Sequence, residues 1–248
     1  MSDSSAQVRD FFRRLHGEEA TGYLIVWTRQ DKATRAFDLA REGEVERAVE
    51  YCRQRAGEAD VYAAVGLQRE PPGKGSRGRE EGVCAIPGLW VDIDVASPAH
   101  KAKSLPASEA EAFALIGAIG LPPSIVVRSG FGLQVYWQFK EPWLLETEAD
   151  RRAAKSMSIR FQTLLRQVAL TRGWNLDSTA DLCRVLRVPG TFNRKLPNDV
   201  RPVTAEYSER AYTLDDLETV LEGIEDPAPP PRPAPAADLP PANLPPIL

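Results

Sequence analysis

Asp92 and Asp94 stand one residue apart in Leu89-Trp90-Val91-Asp92-Ile93-Asp94-Val95, a stretch that alternates as a β-strand does. Alternate strand residues share a side, so both carboxylates point one way while Val91, Ile93 and Val95 point the other. Their Cα atoms then lie roughly 7 Å apart, and two such anions repel unless a cation sits between them. A hard divalent ion is the natural occupant. Two ions held about 4 Å apart would stabilise both the attacking and the leaving oxygen of a phosphoryl displacement. An Asp-x-Asp strand by itself is equally the acidic, solvent-facing side of an edge strand, so the metal reading needs support from elsewhere in the chain.

Two further segments supply it. From Val126 to Trp137 the sequence reads as strand, glycine-rich turn and strand, with Ser129, Gly130, Phe131 and Gly132 at the bend. Glycines let backbone amides approach an anion closely, and Ser129 adds a hydroxyl; a plain β-hairpin is the competing reading. From Leu176 to Lys195 a third carboxylate, Asp177 or alternatively Asp181, is followed by Arg184, Arg187, Asn193, Arg194 and Lys195 among Gly and Pro. Guanidinium and ammonium groups of this kind suit a triphosphate. Pro72-Gly73-Lys74-Gly75-Ser76 imitates a phosphate loop, but Gln68 occupies the first glycine position and Gly75 follows the lysine, so it is not a Walker A motif. Lys74, Arg77 and Arg79 can still contact template or nucleotide phosphates from a loop; a solvated charged loop is the bland alternative.

The elements that must position these groups alternate along the chain. Val8, Phe11, Phe12 and Leu15 recur at helical spacing, Tyr23 to Thr28 reads as a strand, and Glu44 to Arg55 as an amphipathic helix. Strands are predicted at Val61 to Val65, Gly88 to Val95, Ser124 to Arg128 and Leu133 to Phe139. Between the middle pair, Ser108 caps a helix that reaches Ile119. A long helix from about Glu146 to Arg172 follows, then a strand at Val203 to Tyr207 and a helix opening with the capping-box pattern Thr213 to Asp216. The class is mixed α/β (α+β).

Composition narrows the function further. The chain has 248 residues, 31 Lys+Arg against 35 Asp+Glu, and a net charge of -4. Between Arg151 and Arg201 eleven basic residues face three acidic ones, so one region can meet a polyanion although the whole is acidic. Arg151, Arg152, Lys155 and Arg160 read better as a solvated helix face. Cys52, Cys84 and Cys183 are odd in number and far apart, which excludes a disulfide framework and a Cys-x-x-Cys zinc site. With only His16 and His100, a histidine metal site is not expected either. No apolar run approaches membrane-spanning length and Met1 to Leu15 lacks a secretory pattern, so a cytoplasmic location is expected. Pro227 to Leu248 contains ten of the 21 prolines and reads as an extended linker or tail. The folded catalytic domain is therefore expected over 1–225, with the tail over 226–248.

Taken in order, the three segments resemble the catalytic core of the archaeo-eukaryotic primase superfamily, in particular primase-polymerase domains of plasmid and phage replication proteins. Asp92 and Asp94 match its first motif, and Leu176-Asp177 with the run from Arg184 to Lys195 resembles its third motif and Arg-rich segment. The second motif places a His after the glycine-rich turn; here Gln134 stands there, which donates a neutral hydrogen bond but cannot become cationic. The resemblance implies an N-terminal α/β unit joined to an RNA-recognition-motif-like unit with a central, mostly antiparallel sheet. It also implies two-metal nucleotidyl transfer on a single-stranded DNA template, with NTP or dNTP as substrate. Asp92, Asp94 and Asp177 would hold Mg²⁺ or Mn²⁺. Ser129, Gly130, Gln134, Arg187, Asn193 and Lys195 would bind the nucleotide, and Lys74, Arg77, Arg79 and Arg184 template or phosphate. A helicase or other replication module would follow the tail. A non-catalytic replication initiator or single-strand-binding module, and a metal-dependent nuclease, are the rival readings.

Overall fold

The computed structural model describes residues 4–101 and 104–226; the proline-rich segment lies outside them. Helix α1 (Ser4–His16) buries Val8, Phe11, Phe12 and Leu15 on the face their spacing defines. Strands β1 (Tyr23–Thr28) and β2 (Thr34–Asp38) form a hairpin, followed by α2 (Glu44–Ala56), β3 (Val61–Ala64) and β4 (Leu67–Gln68). Strand β5 (Val83–Asp94) carries the acidic pair. Helix α3 (Glu109–Gly117) starts where the Ser108 side chain accepts the Glu111 amide. Strands β6 (Ile125–Arg128) and β7 (Gly132–Leu144) flank the glycine-rich turn.

Helix α4 (Glu148–Thr171) opens with a reciprocal capping box between Thr147 and Asp150. That cap sets its start two residues later than the sequence suggested. Strands β8 (Val185–Arg187), β9 (Phe192–Leu196), β10 (Asp199–Pro202) and β11 (Thr204–Tyr207) follow, then α5 (Leu214–Val220) behind the Thr213–Asp216 capping box.

Nine strands form one sheet in the order β11-β6-β7-β5-β4-β1-β3-β8, with β2 added on β1, and β9 and β10 form a separate hairpin. Among the described residues every pairing between these strands is antiparallel, and one isolated bridge, Phe139 to Tyr212, is parallel. The mixed α/β class with a large antiparallel sheet is thus the one expected.

The longest pairing, β5 against β7, sets the site. It places Trp90 opposite Tyr136, Asp92 opposite Gln134 and Asp94 opposite Gly132. Gly132 is required there, because a Cβ would stand 2.3 Å from the Ile93 carbonyl oxygen. Helix α4 anchors this pair of strands. Phe161 meets Trp137 edge-on at 4.9 Å, and Gln162 Nε2 donates to the Trp90 carbonyl at 2.5 Å and to Thr179 Oγ1 at 3.0 Å. Both indoles are fully buried and both are satisfied, Trp90 by the Thr179 carbonyl and Trp137 by that of Leu121. Burial of such rings contributes roughly 4–6 kcal/mol each.

Several boundaries differ from the sequence reading. β5 begins at Val83 rather than Gly88, running through Pro87 by a register shift between Ile86 and Gly88. A bulge is where a strand tolerates proline. β7 continues to Leu144 rather than stopping at Phe139. The short strands β2, β4, β8, β9 and β10 were not expected. Four of the basic side chains of α4 are engaged within the fold: Arg151 by the Leu145 carbonyl, Arg152 by Glu148, Lys155 by Glu80 and Arg160 by Glu218.

Candidate active site

Asp92 and Asp94 open into a pocket of about 410 Å³ whose walls include Leu105, Leu176, Asp177, Thr179 and Arg184. The third carboxylate of the sequence reading is therefore in the same pocket as the first two, brought there by the segment between α4 and β8. Asp181 points elsewhere and pairs with Arg184.

Burial and the neighbouring charge of Asp94 push the Asp92 carboxyl up to about 7, against the pull of Arg184, Arg187 and a hydrogen bond from Gln134. Burial also raises Asp94, and Asp177 adds to the effect while His100 and Lys195 oppose it. These are hard oxygen donors whose negative charge is disfavoured where they stand, an arrangement that a divalent cation would relieve. Among the described residues no three His, Cys, Asp or Glu side chains stand close enough together to chelate an ion. Asp92, Asp94 and Asp177 nevertheless line one pocket, with Asp177 adding to the charge repulsion felt by Asp94.

The glycine-rich turn lies beside the pocket. Gly130 has φ +94°, and a Cβ there would meet Arg201 Cβ at 3.0 Å and Asn193 Cβ at 3.1 Å, so this bend needs glycine. Asn193 fixes it: Nδ2 donates to the Ser129 carbonyl at 2.6 Å, and Oδ1 accepts the Lys195 amide at 3.0 Å. Arg201 Nη1 donates to the Gly130 carbonyl at 3.0 Å, and its guanidinium lies 4.3 Å from the Phe131 ring centroid. Ser129 and Asn193 are buried, while the Lys195 side chain is exposed, with Nζ 3.1 Å from His100 Nδ1.

Gln134, only 3% exposed, is spent inside the fold. Its Oε1 accepts the Arg187 amide at 2.9 Å while its carboxamide bonds Asp92. It ties β7 to β8 directly behind the acidic pair. The Arg187 guanidinium is likewise committed, to Asp60 at 2.5 Å and over the Tyr62 ring at 4.8 Å. Asp60 also accepts the Arg194 amide at 2.7 Å and Gln30 Nε2 at 3.0 Å. Burial works against the Asp60 charge, yet these partners hold its carboxyl below the usual range.

Lys74, Arg77 and Arg79 lie apart from the pocket, on the loop after β4. Arg77 sits 5.5 Å from the Trp27 ring centroid, the Arg79 backbone clasps the Gln68 carboxamide, and Lys74 is exposed.

His100, Asp60 and Arg201 are the residues that sequence reasoning did not bring to the site. His100 Nδ1 stands 2.8 Å from Asp94 Oδ2 and 3.1 Å from Lys195 Nζ, and Nε2 stands 3.1 Å from the Phe131 carbonyl oxygen. It therefore stitches the acidic strand to the glycine-rich turn. Its only sequence signal is a single His in the loop following Asp94.

No family model and no curated protein matches this sequence. Solved structures do match. The archaeo-eukaryotic primase domain of the cyanophage S-2L primase-polymerase superposes with a TM-score of 0.57 at 16% identity, covering 87% of this chain and 97% of that one. The primase RepB′ superposes with a TM-score of 0.50 at 14% identity, covering 88% of this chain and 61% of that one. At such identities the likeness speaks for architecture alone: this chain has the fold that these two primase structures have.

Proposed function

We propose that the chain is a primase-polymerase domain, joining nucleotides to a 3′-hydroxyl on a single-stranded DNA template with release of pyrophosphate. The observation that carries this reading is the acidic pocket lined by Asp92, Asp94 and Asp177, with Lys195 of β9 close enough to act on the Asp94 charge. Bound Mg²⁺ or Mn²⁺ would supply Lewis-acid activation of the α-phosphate and of the attacking hydroxyl. Asp92 and Asp94 would hold the ion, and Asp177 would complete the anionic wall. Lys195 would meet the triphosphate, and Arg184 would balance charge at the pocket wall. Asn193 and Arg201 would keep the turn in shape, while Gln134 would hold Asp92 in place instead of touching phosphate. Pro227 to Leu248 would connect this domain to a further replication module such as a helicase.

The test is nucleotide incorporation on defined single-stranded templates with Mn²⁺ or Mg²⁺, NTP and dNTP pools being supplied separately. The wild type should make product, and Asp92→Asn or Asp94→Asn should make none while keeping the fold. Equal product from the variants would overturn the assignment. A second reading, a single-strand-binding initiator on the same scaffold, is favoured by one observation: Gln134 and Arg187 are consumed by internal bonds. It predicts template binding with no incorporation. Template degradation in the same assay would indicate a nuclease.

A further inference from the structure

On strands β1, β2, β3 and β8 one patch contains no helix residue and no residue that lines the acidic pocket. There Ile25, Ala64 and Val185 form a small buried cluster of their own, with Tyr23, Trp27, Ala36 and Tyr62 packed around it. All seven are strand residues, so among the described residues no helix side chain joins them. Trp27 and Tyr62 are register partners on β1 and β3, their ring centroids are 5.6 Å apart, and both remain partly exposed. Arg77 lies 5.5 Å from the Trp27 ring centroid and Arg187 4.8 Å from that of Tyr62. Arg29 hydrogen-bonds Tyr62, and Lys74 is exposed on the loop that carries Arg77. Asp60, the acid beside Tyr62, is buried and neutralised by Arg187.

Aromatic side chains partly open to solvent and ringed by cations match single-stranded nucleic acid, whose bases offer π-faces and whose backbone offers phosphates. The position fits as well. Val185 follows Arg184, which lines the acidic pocket, and the Arg187 amide is bonded to Gln134 behind Asp92. We propose that this face is a stacking platform for unpaired DNA bases, with Trp27 beneath the bases, Tyr62 supporting Trp27 from the next strand, and Arg29, Lys74 and Arg77 on the phosphates. That the bound strand serves as template rests on the polymerase reading above.

The experiment is binding of a fluorescently labelled oligothymidylate to the full chain in EDTA, without nucleotide, across a salt series. Trp27→Leu, which keeps an apolar side chain but removes the ring, should weaken binding about ten-fold with the salt slope unchanged. Trp27→Phe should stay within about three-fold of wild type, since base stacking on a ring accounts for losses of this size. Arg77→Gln should lower the slope of log K against log salt by about 0.7, the value for one phosphate contact on a single strand. Wild-type affinity in a folded Trp27→Leu variant, or equal losses in the Leu and Phe variants, would overturn the platform. Binding here needs no chemistry, so the two readings fail separately. Trp27-dependent binding by a protein that incorporates no nucleotide would sink the polymerase reading alone. Incorporation together with Trp27-independent binding would sink the platform alone.

Discussion

Replacing Asp92 with Asn should stabilise the metal-free protein while removing its chemistry. The Asp92 carboxyl moves from an ordinary 3.8 to about 7 on folding, through burial first and the charge of Asp94 second. The folded state therefore keeps a proton that the unfolded chain releases. Stability from this group is fully present below pH 3.8 and is lost as pH rises through about 7. The interval corresponds to about 4 kcal/mol above pH 7, at about 1.4 kcal/mol per pH unit. Asn has nearly the same shape, carries no charge, and its carbonyl can accept the hydrogen bond that Gln134 gives to Asp92. In EDTA at pH 8 the variant should thus gain up to about 4 kcal/mol, or very roughly 10 °C in Tm for a domain of this size, while at pH 4 the two proteins should match. Urea denaturation of both proteins from pH 4 to pH 8 checks this. Adding Mn²⁺ should narrow the gap, since an ion bound only by the folded wild type adds stability by mass action. A variant no more stable than wild type at pH 8, or a gap independent of pH, would refute the claim that the acidic pair is electrostatically strained.

Two other buried polar groups carry predictions of their own. Burial lowers the pKa of His16 from 6.5 to about 4, so its imidazole stays neutral while the unfolded chain takes up a proton. Stability should fall by about 3 kcal/mol as pH drops from 6.5 to 4; His16→Phe should flatten that part of the denaturation profile, and an unaltered profile would rule the effect out. Asp60→Ala strands the Arg187 guanidinium and should cost about 3–5 kcal/mol, whereas the double variant Asp60→Ala with Arg187→Met should recover much of the loss. Equal destabilisation of the single and double variants would show that the pair is not the source.

The sequence was most readable where chemistry and periodicity were local. The alternation around Asp92 and Asp94, the glycines at the β6–β7 bend and the Thr213–Asp216 capping box each express themselves within a few residues, and each stands in the fold as read. Pro87 hid the first half of β5, because a proline reads as a strand boundary and only the sheet shows that a bulge absorbs it. The strands β8 to β10 are too short, and too interrupted by Pro189 and Gly190, to show a period of two. Arg187 looked like its basic neighbours because its partner, Asp60, is 127 residues away in sequence. His100 sits in a polar loop whose sequence carries no pattern, so only the folded chain brings it to Asp94.

The cation site proposed at Asp92 and Asp94, with Asp177 in the same pocket, can be sought directly. Crystals grown with Mn²⁺ and a non-hydrolysable nucleotide test it through the anomalous signal of manganese. A peak at about 2.1 Å from carboxylate oxygens of both Asp92 and Asp94, the usual distance for a small hard divalent ion, is the result this account predicts. Manganese found only at surface carboxylates, with the acidic pocket free of anomalous density, would contradict it.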